Sequence, residues 1–469
     1  MSDWLRAGAA GLRLGALLLA AVATLAQVPE TAIAAVGSTP EALRSAQGFN
    51  PHPIALREPA VRPLSAVAQL GAKLFHDERL SGSGRLSCAS CHSPAHAYGP
   101  PNAGPVMLGG PRLTTPGARA VPSLRYLYRQ PNFSIGPDSA GDSDQVTPPA
   151  QQAQQAQQAE QAAGRSRVLK SAASPQAAAA SLVPQGGLFW DGRADTLQQQ
   201  ANGPLYNPQE MDAGSPARVI HELETAPYAG DFVRLFGPGV FENPRLAADE
   251  AMFAIGRYQI ESPDFHPFTS KFDVWLAGRA RLAPAELRGY RLFNDPAAGN
   301  CAACHLDEPT RDGLPPLFTD FQYEALGAPR NAALAANRGP HYYDLGLCGP
   351  YRTDLSQETR YCGMFLTPSL RNVATRHAFF HNGVFHSLRQ VLDFYVNRDL
   401  HPERFYVRDA AGHVIPYDDL PARYRGNVDR VDAPFNRRPG DRPALTPAQI
   451  HDVIAFLHTL TDGYTSSPH

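Results

Sequence analysis

The sequence is short of charge of one sign, of long apolar runs and of alternating apolar–polar stretches. Its net charge is only −2. No strong field therefore points to nucleic acid or to an anionic membrane as a partner. One apolar run stands out, Leu14–Ala26, behind Arg6 and Arg13. It is too short for a comfortable membrane span, and Ala32-Ile33-Ala34 follows as an A-x-A cleavage site. Residues 1–34 thus read as an export signal, with an uncleaved anchor as the alternative. Strand-like alternation is missing, so the class is mainly α. Cysteine is sparse too: six residues in 469.

Four of those six fall in two copies of one pentapeptide, Cys88-Ala89-Ser90-Cys91-His92 and Cys301-Ala302-Ala303-Cys304-His305. C-x-x-C-H is the attachment signature of a c-type haem. The two thiols add across the vinyl groups, and the adjacent imidazole reaches the iron. A zinc site would not explain a His directly after each pair. The motifs also fit the export signal, since c-type haem is attached outside the bacterial cytoplasm. They point to two covalent haems in a periplasmic protein. Cys348 and Cys362 remain, and in that compartment they are expected to pair. Two free thiols are the other option.

The chain repeats itself around these motifs. Leu64–Phe75 places Leu64, Val67, Leu70 and Leu74 on one helical face and ends in Gly71-Ala72-Lys73-Leu74-Phe75-His76-Asp77. Far downstream stands Gly289-Tyr290-Arg291-Leu292-Phe293-Asn294-Asp295, and each copy precedes a C-x-x-C-H. Between them, about 137–184 is low in complexity, with Gln-Gln-Ala repeats that cannot offset chain entropy by burial. Helices are expected after Trp190, to be broken by Pro204, Asn207 and Pro208, then over 216–225, and over 247–261 to open the second module. Thr446-Pro447-Ala448-Gln449 is a capping-box start, followed by the stripe Ile450, Val453, Ile454, Leu457 and Leu460.

Several ordered stretches together resemble the bacterial di-haem cytochrome c peroxidases, including the MauG branch. They are Gly71-x-x-Leu-Phe-x-Asp, Cys88–His92, Phe189-Trp-Asp-Gly-Arg-Ala, Gln200-Ala, Glu210-Met211, Cys301–His305, Pro368-Ser-Leu-Arg-Asn-Val and His381-Asn-Gly. The resemblance covers about 64–462 apart from the low-complexity tract. It implies two cytochrome c-like haem domains packed face to face: a peroxidatic one over 60–245 and an electron-transfer one over 246–469. His92 and His305 would be the proximal ligands. Trp190 would lie between the haems, and Gln200 and Glu210 above the peroxidatic one. A carboxylate there can move a proton between the peroxide oxygens, and an amide can orient them. Gly110 stands where many relatives carry a blocking His, so the distal site is expected to be open at rest; His96 and Met107 are the residues that could still block it. Tyr395 stands where relatives place Met or Tyr as sixth ligand to the second iron, with Met364 as its rival. A calcium ion is implied between the haems, but Ala120 replaces its Asn and Arg376 its Thr, which argues against calcium. The implied activity is oxidation by hydrogen peroxide of a partner, which is either a protein substrate, as in a MauG-like enzyme, or a small cytochrome c or cupredoxin donor, as in a scavenging peroxidase. A two-haem carrier is the non-enzymatic reading.

Overall fold

The computed structural model describes residues 44–137 and 182–465. Residues 1–34, read above as an export signal, and most of the low-complexity tract lie outside the described residues. The tract leaves from strand β3 (Ser134–Pro137) and returns in β4 (Leu182–Gln185), which pair antiparallel with Pro137 opposite Leu182. The other strands form two-residue pairs: β1 (Leu108–Gly109) with β2 (Thr115–Pro116), and β5 (Tyr323–Glu324) with β6 (Phe365–Leu366). The remaining regular structure is helical, as the lack of alternation implies.

Two apolar cores organise the chain. The first is built on α1 (Ala66–Phe75), which starts at the cap Ser65, whose hydroxyl accepts from Ala68 N. Its Leu70, Leu74 and Phe75 are fully buried. After the short haem turn α2 (Cys88–Cys91), it gathers α3 (Leu197–Tyr206), α4 (Pro216–Glu224), α5 (Ala229–Phe236) and α6 (Pro244–Glu261). The second core holds α7 (Lys271–Leu276), α8 (Pro284–Asn294), α9 (Leu388–Asn397) and α10 (Pro447–His458). The capping box at Thr446 and Gln449 forms as expected, and Ile450, Val453, Leu457 and Leu460 are buried, with Ile454 at the edge.

The internal repeat is visible in how the helices cross. A Cβ at Gly71 would lie 1.9 Å from Ala254 O of α6, and a Cβ at Gly289 1.9 Å from Asp452 O of α10. Only glycine lets either helix pair approach so closely.

Two expectations change. Helix α6 does not open the second module. It packs on α1 and buries Ala247, Ala251, Ile255 and Tyr258 in the first core. Pro204 does not break α3 but sits inside it. So near the helix end a proline costs a single i→i−4 bond.

Ion pairs join the modules. Asp462, beyond α10, accepts from Arg125 Nη1 at 3.0 Å and from Tyr126 OH at 2.8 Å. In the second module Arg371 forms a fully buried two-bond pair with Asp273 at 2.6 and 3.0 Å.

Candidate active site between two haem-binding turns

Each C-x-x-C-H segment winds one tight turn, closed by His92 N→Cys88 O in the first and His305 N→Cys301 O in the second, both 2.9 Å. The turn holds both thiols and the imidazole on the same side. His92 Nδ1 lies 3.1 Å from Tyr98 O, and His305 Nδ1 3.0 Å from Phe318 O. Donation from Nδ1 to a carbonyl leaves the Nε2 lone pair for a metal. Burial pulls both imidazoles down to about 4, so each ring is neutral and ligand-competent at pH 7. Burial also pushes the Cys88 and Cys301 thiols up to about 12.

The carbonyl acceptors are themselves held by a second repeat. Val121-Pro122-Ser123-Leu124-Arg125 and Thr367-Pro368-Ser369-Leu370-Arg371 occupy matching places. Ser123 Oγ donates to Ala97 O and Ser369 Oγ to Leu317 O, each at 2.6 Å. Leu124 N bonds Tyr98 O, and Leu370 N bonds Phe318 O. Tyr98 and Phe318 both adopt left-handed backbone, φ +55° and +56°. The second stretch stands out as a family motif, whereas its likeness to the first becomes plain only when the two loops are seen in matching places. The shared Pro-Ser-Leu-Arg was the available signal.

A cavity of about 540 Å³ lies between the modules, lined by His96, Trp190 and Gln200 from one and by Cys304, His305 and Tyr395 from the other. Two buried donors on its wall, Arg125 Nε and Gln130 Nε2, have no hydrogen-bond partner among the described residues, and a third polar atom, His381 Nε2, lies 3.5 Å from an Asp419 carboxylate oxygen. Buried donors of this kind need acceptors. A porphyrin brings two carboxylates, so the cavity, its thiols and its unpaired donors fit haem.

Of the predicted site residues, Trp190, Gln200, Cys301, Cys304, His305 and Tyr395 line this space, whereas Cys88, Cys91, His92 and Glu210 do not. Trp190 Nε1 donates to Ala120 O at 2.8 Å, and Trp190 O accepts from Leu366 N of β6, so one module holds the indole and the other its backbone. The turn carrying it is set by buried Asp191, which takes Arg119 on one oxygen and Arg193 on the other, both at 2.8 Å. Arg119 also clasps Asp344 through two bonds. This buried cluster joins residues up to 225 positions apart and left no local sequence signal.

Gln200 is buried on α3 and lines the cavity. Glu210 lies close enough to Cys91 for its charge to raise that thiol. Burial pushes the Glu210 carboxyl up, against Arg193 and a hydrogen bond involving Asn207. Its carbonyl accepts from Gly110 N at 2.8 Å. The loop Gly109-Gly110 lies flat on this segment: a Cβ at Gly109 would sit 2.3 Å from Gln209 O, and Gly110 has φ +73°. No side chain projects from the loop here. His96 sits on the loop that supplies the carbonyl for His92, its Nδ1 3.2 Å from Ser93 Oγ. Met107 O accepts from Gly117 N at the mouth of the β1–β2 pair.

On the other side Tyr395 packs against Phe380 and Phe435 and faces the cavity beside the second turn. Burial, then the nearby Cys304 and Cys301, pushes its phenol well above the usual range. The rival Met364 packs instead with Tyr323, Leu347 and Cys362 around the Cys348–Cys362 disulfide. That bond is formed, as expected.

The methylamine utilization protein MauG of Paracoccus denitrificans is 34% identical to this chain over 405 residues, covering 85% of the chain and 89% of that protein. The chain belongs to the MauG-like di-haem peroxidase family. The family model for di-haem cytochrome c peroxidases matches residues 65–281. Cytochrome c551 peroxidase of Nitrosomonas europaea is 26% identical over 358 residues, with 72% of the chain and 77% of that protein covered. The diheme peroxidase BthA of Burkholderia thailandensis superposes with a TM-score of 0.70 at 36% identity, covering 86% of this chain and 87% of BthA. A BthA variant with a tyrosine replaced by methionine matches as well, at 35% and 0.70. The fold class is therefore mainly α with cytochrome c-like haem modules, and the protein is an enzyme, an oxidoreductase of the peroxidase type. The non-enzymatic carrier reading ends here.

Proposed function

We propose that hydrogen peroxide reacts at the N-terminal haem turn and that oxidising equivalents pass by way of Trp190 to the C-terminal one. The reading divides the chain near residues 266–270, between the two cores. Haem bound at the two turns supplies the redox chemistry; the chain supplies protons, donors and access. Glu210, beside Cys91 and with its carboxyl pushed up by burial, carries a proton from one peroxide oxygen to the other. Gln200 offers a neutral amide donor from α3 to orient the substrate. The observation that carries the reading is the bare Gly109-Gly110 loop laid along Glu210: no imidazole stands there to close the site.

At the second turn, Tyr395 would, once bound to iron, supply an anionic, hard oxygen, giving up the proton that burial otherwise holds on the phenol. Such a ligand favours oxidised iron and a low potential, suited to sharing oxidising equivalents and ill-suited to accepting electrons from ordinary cytochromes. The partner is then a protein that is itself oxidised. The cytochrome c551 peroxidase relative keeps open a scavenging role fed by a small cytochrome c or cupredoxin. The export signal, the disulfide and the haem turns support a periplasmic location; among the described residues no helix is long and apolar enough to cross a membrane. The test is a peroxide titration of the as-isolated ferric protein, read optically with and without a c-type cytochrome. Reaction without prior reduction supports the open site. A strict need for pre-reduction would show that a ligand such as His96 or Met107 closes it.

A further inference from the structure

The stretch Arg119–Pro122 runs between the two haem turns, and every residue in it is engaged. Arg119 pairs with Asp344 and Asp191. Ala120 N donates to His381 O, and Ala120 O accepts from Trp190 Nε1, both at 2.8 Å. Val121 O accepts from Arg376 Nη2 at 3.1 Å, and Pro122 O faces the His92 ring.

The family resemblance puts a calcium ion in this neighbourhood, and the residues present do not fit one. Calcium takes six to eight oxygens. Ala120 offers no side-chain oxygen, and its carbonyl already serves the indole. The carboxylates of Asp191 and Asp344 are closed on Arg119. Arg376 does not point away. Its guanidinium lines the cavity and donates to Val121 O at 3.1 Å and Ala378 O at 3.2 Å, close enough to His92 to depress that imidazole.

We propose that the Arg376 guanidinium takes the place of a divalent cation between the modules, so that the protein keeps its inter-haem arrangement without calcium. The inference rests on the two-haem reading of the cavity. Carbonyl dipoles that would face a metal ion face a planar fork of N–H donors instead. Burial lowers this guanidinium to about 10, with no carboxylate offsetting it, and it stays cationic at neutral pH. Unlike a bound ion, it cannot be removed by a chelator.

The experiment dialyses the holoprotein against EGTA and measures calcium by mass spectrometry, with optical and EPR spectra of both haems before and after. The expected result is substoichiometric calcium throughout and unchanged spectra. Stoichiometric calcium whose removal alters either haem signal would overturn the proposal. The double variant Ala120→Asn/Arg376→Thr should gain what the native protein lacks: spectra that change in EGTA and recover with calcium chloride. Native spectra in that variant, indifferent to both reagents, would show that no cation is needed there and would also overturn it. Haem content from the pyridine hemochrome of the same samples separates the two ideas, because fewer than two haems would fail the haem reading whatever the calcium result.

Discussion

The two haem turns share their proximal chemistry and differ in the side chains that stand beside them. Both hold a neutral imidazole by an Nδ1 bond to a left-handed residue's carbonyl, and both brace that residue with the same Pro-Ser-Leu-Arg loop. Beside the first, Glu210 lies near Cys91 with the Gly109-Gly110 loop laid along it; beside the second, Tyr395 lies near Cys301 and Cys304 and lines the cavity. A duplicated scaffold thus carries two unlike pairs of hands. Proximal geometry is what haem attachment requires of any such turn, whereas the distal groups decide between reacting with peroxide and holding charge.

Exchanging Tyr395, the proposed ligand, should give the largest effect. Tyr395→Met should raise the C-terminal haem potential by on the order of 0.1 V or more, within the roughly 0.8 V that axial ligands span. Spectroelectrochemistry reads the shift, and Met364→Leu should leave it in place. If only Met364→Leu changes the ligand spectrum, the contrast between the turns has been drawn at the wrong residue. Next, Glu210→Gln should slow peroxide turnover by roughly 10²-fold or more while keeping both haem spectra. Because burial raises this carboxyl, the acid limb of the native rate profile should lie above the ordinary glutamate range, and the variant should lose that limb. Full-rate turnover would send the proton by another route.

Stability sharpens the comparison further. Asp273→Ala strands a fully buried Arg371 and should cost about 3–5 kcal/mol. Asp462→Ala strands the more accessible Arg125 and should cost less. Denaturant melts of holoprotein decide it; equal losses would mean that the two pairs are energetically alike. Smallest, Gly71→Ala and Gly289→Ala should each destabilise by about 1–3 kcal/mol through overpacking at matching helix crossings. A large inequality would break the repeat as an energetic one.

Local pattern made part of this legible. The haem turns, the helix-before-turn repeat and the capping box at Thr446 each lie within a few residues, so spacing alone exposes them. Helix α6 shows the limit. It buries alanines, Met252 and Tyr258 around much of its surface, and nothing in such a helix says which core it joins. The partner that does, α1, is more than 150 positions away. Pro204 reads as a breaker because sequence does not show how near a helix end lies. The Arg119 cluster and the turn of Arg376 toward Val121 depend on contacts between distant segments.

Asp462 gathers Arg125 and Tyr126 of the first module together with Asn372 and Thr269 N of the second. Arg125 precedes it by 337 positions. Such a clamp closes one of the longest loops in the chain and can gain nothing until both ends have taken shape. The spacing of the two haem turns therefore depends on a contact that lies within neither half of the chain. A chain that lost this clamp could keep both C-x-x-C-H turns intact and still lose the register between them.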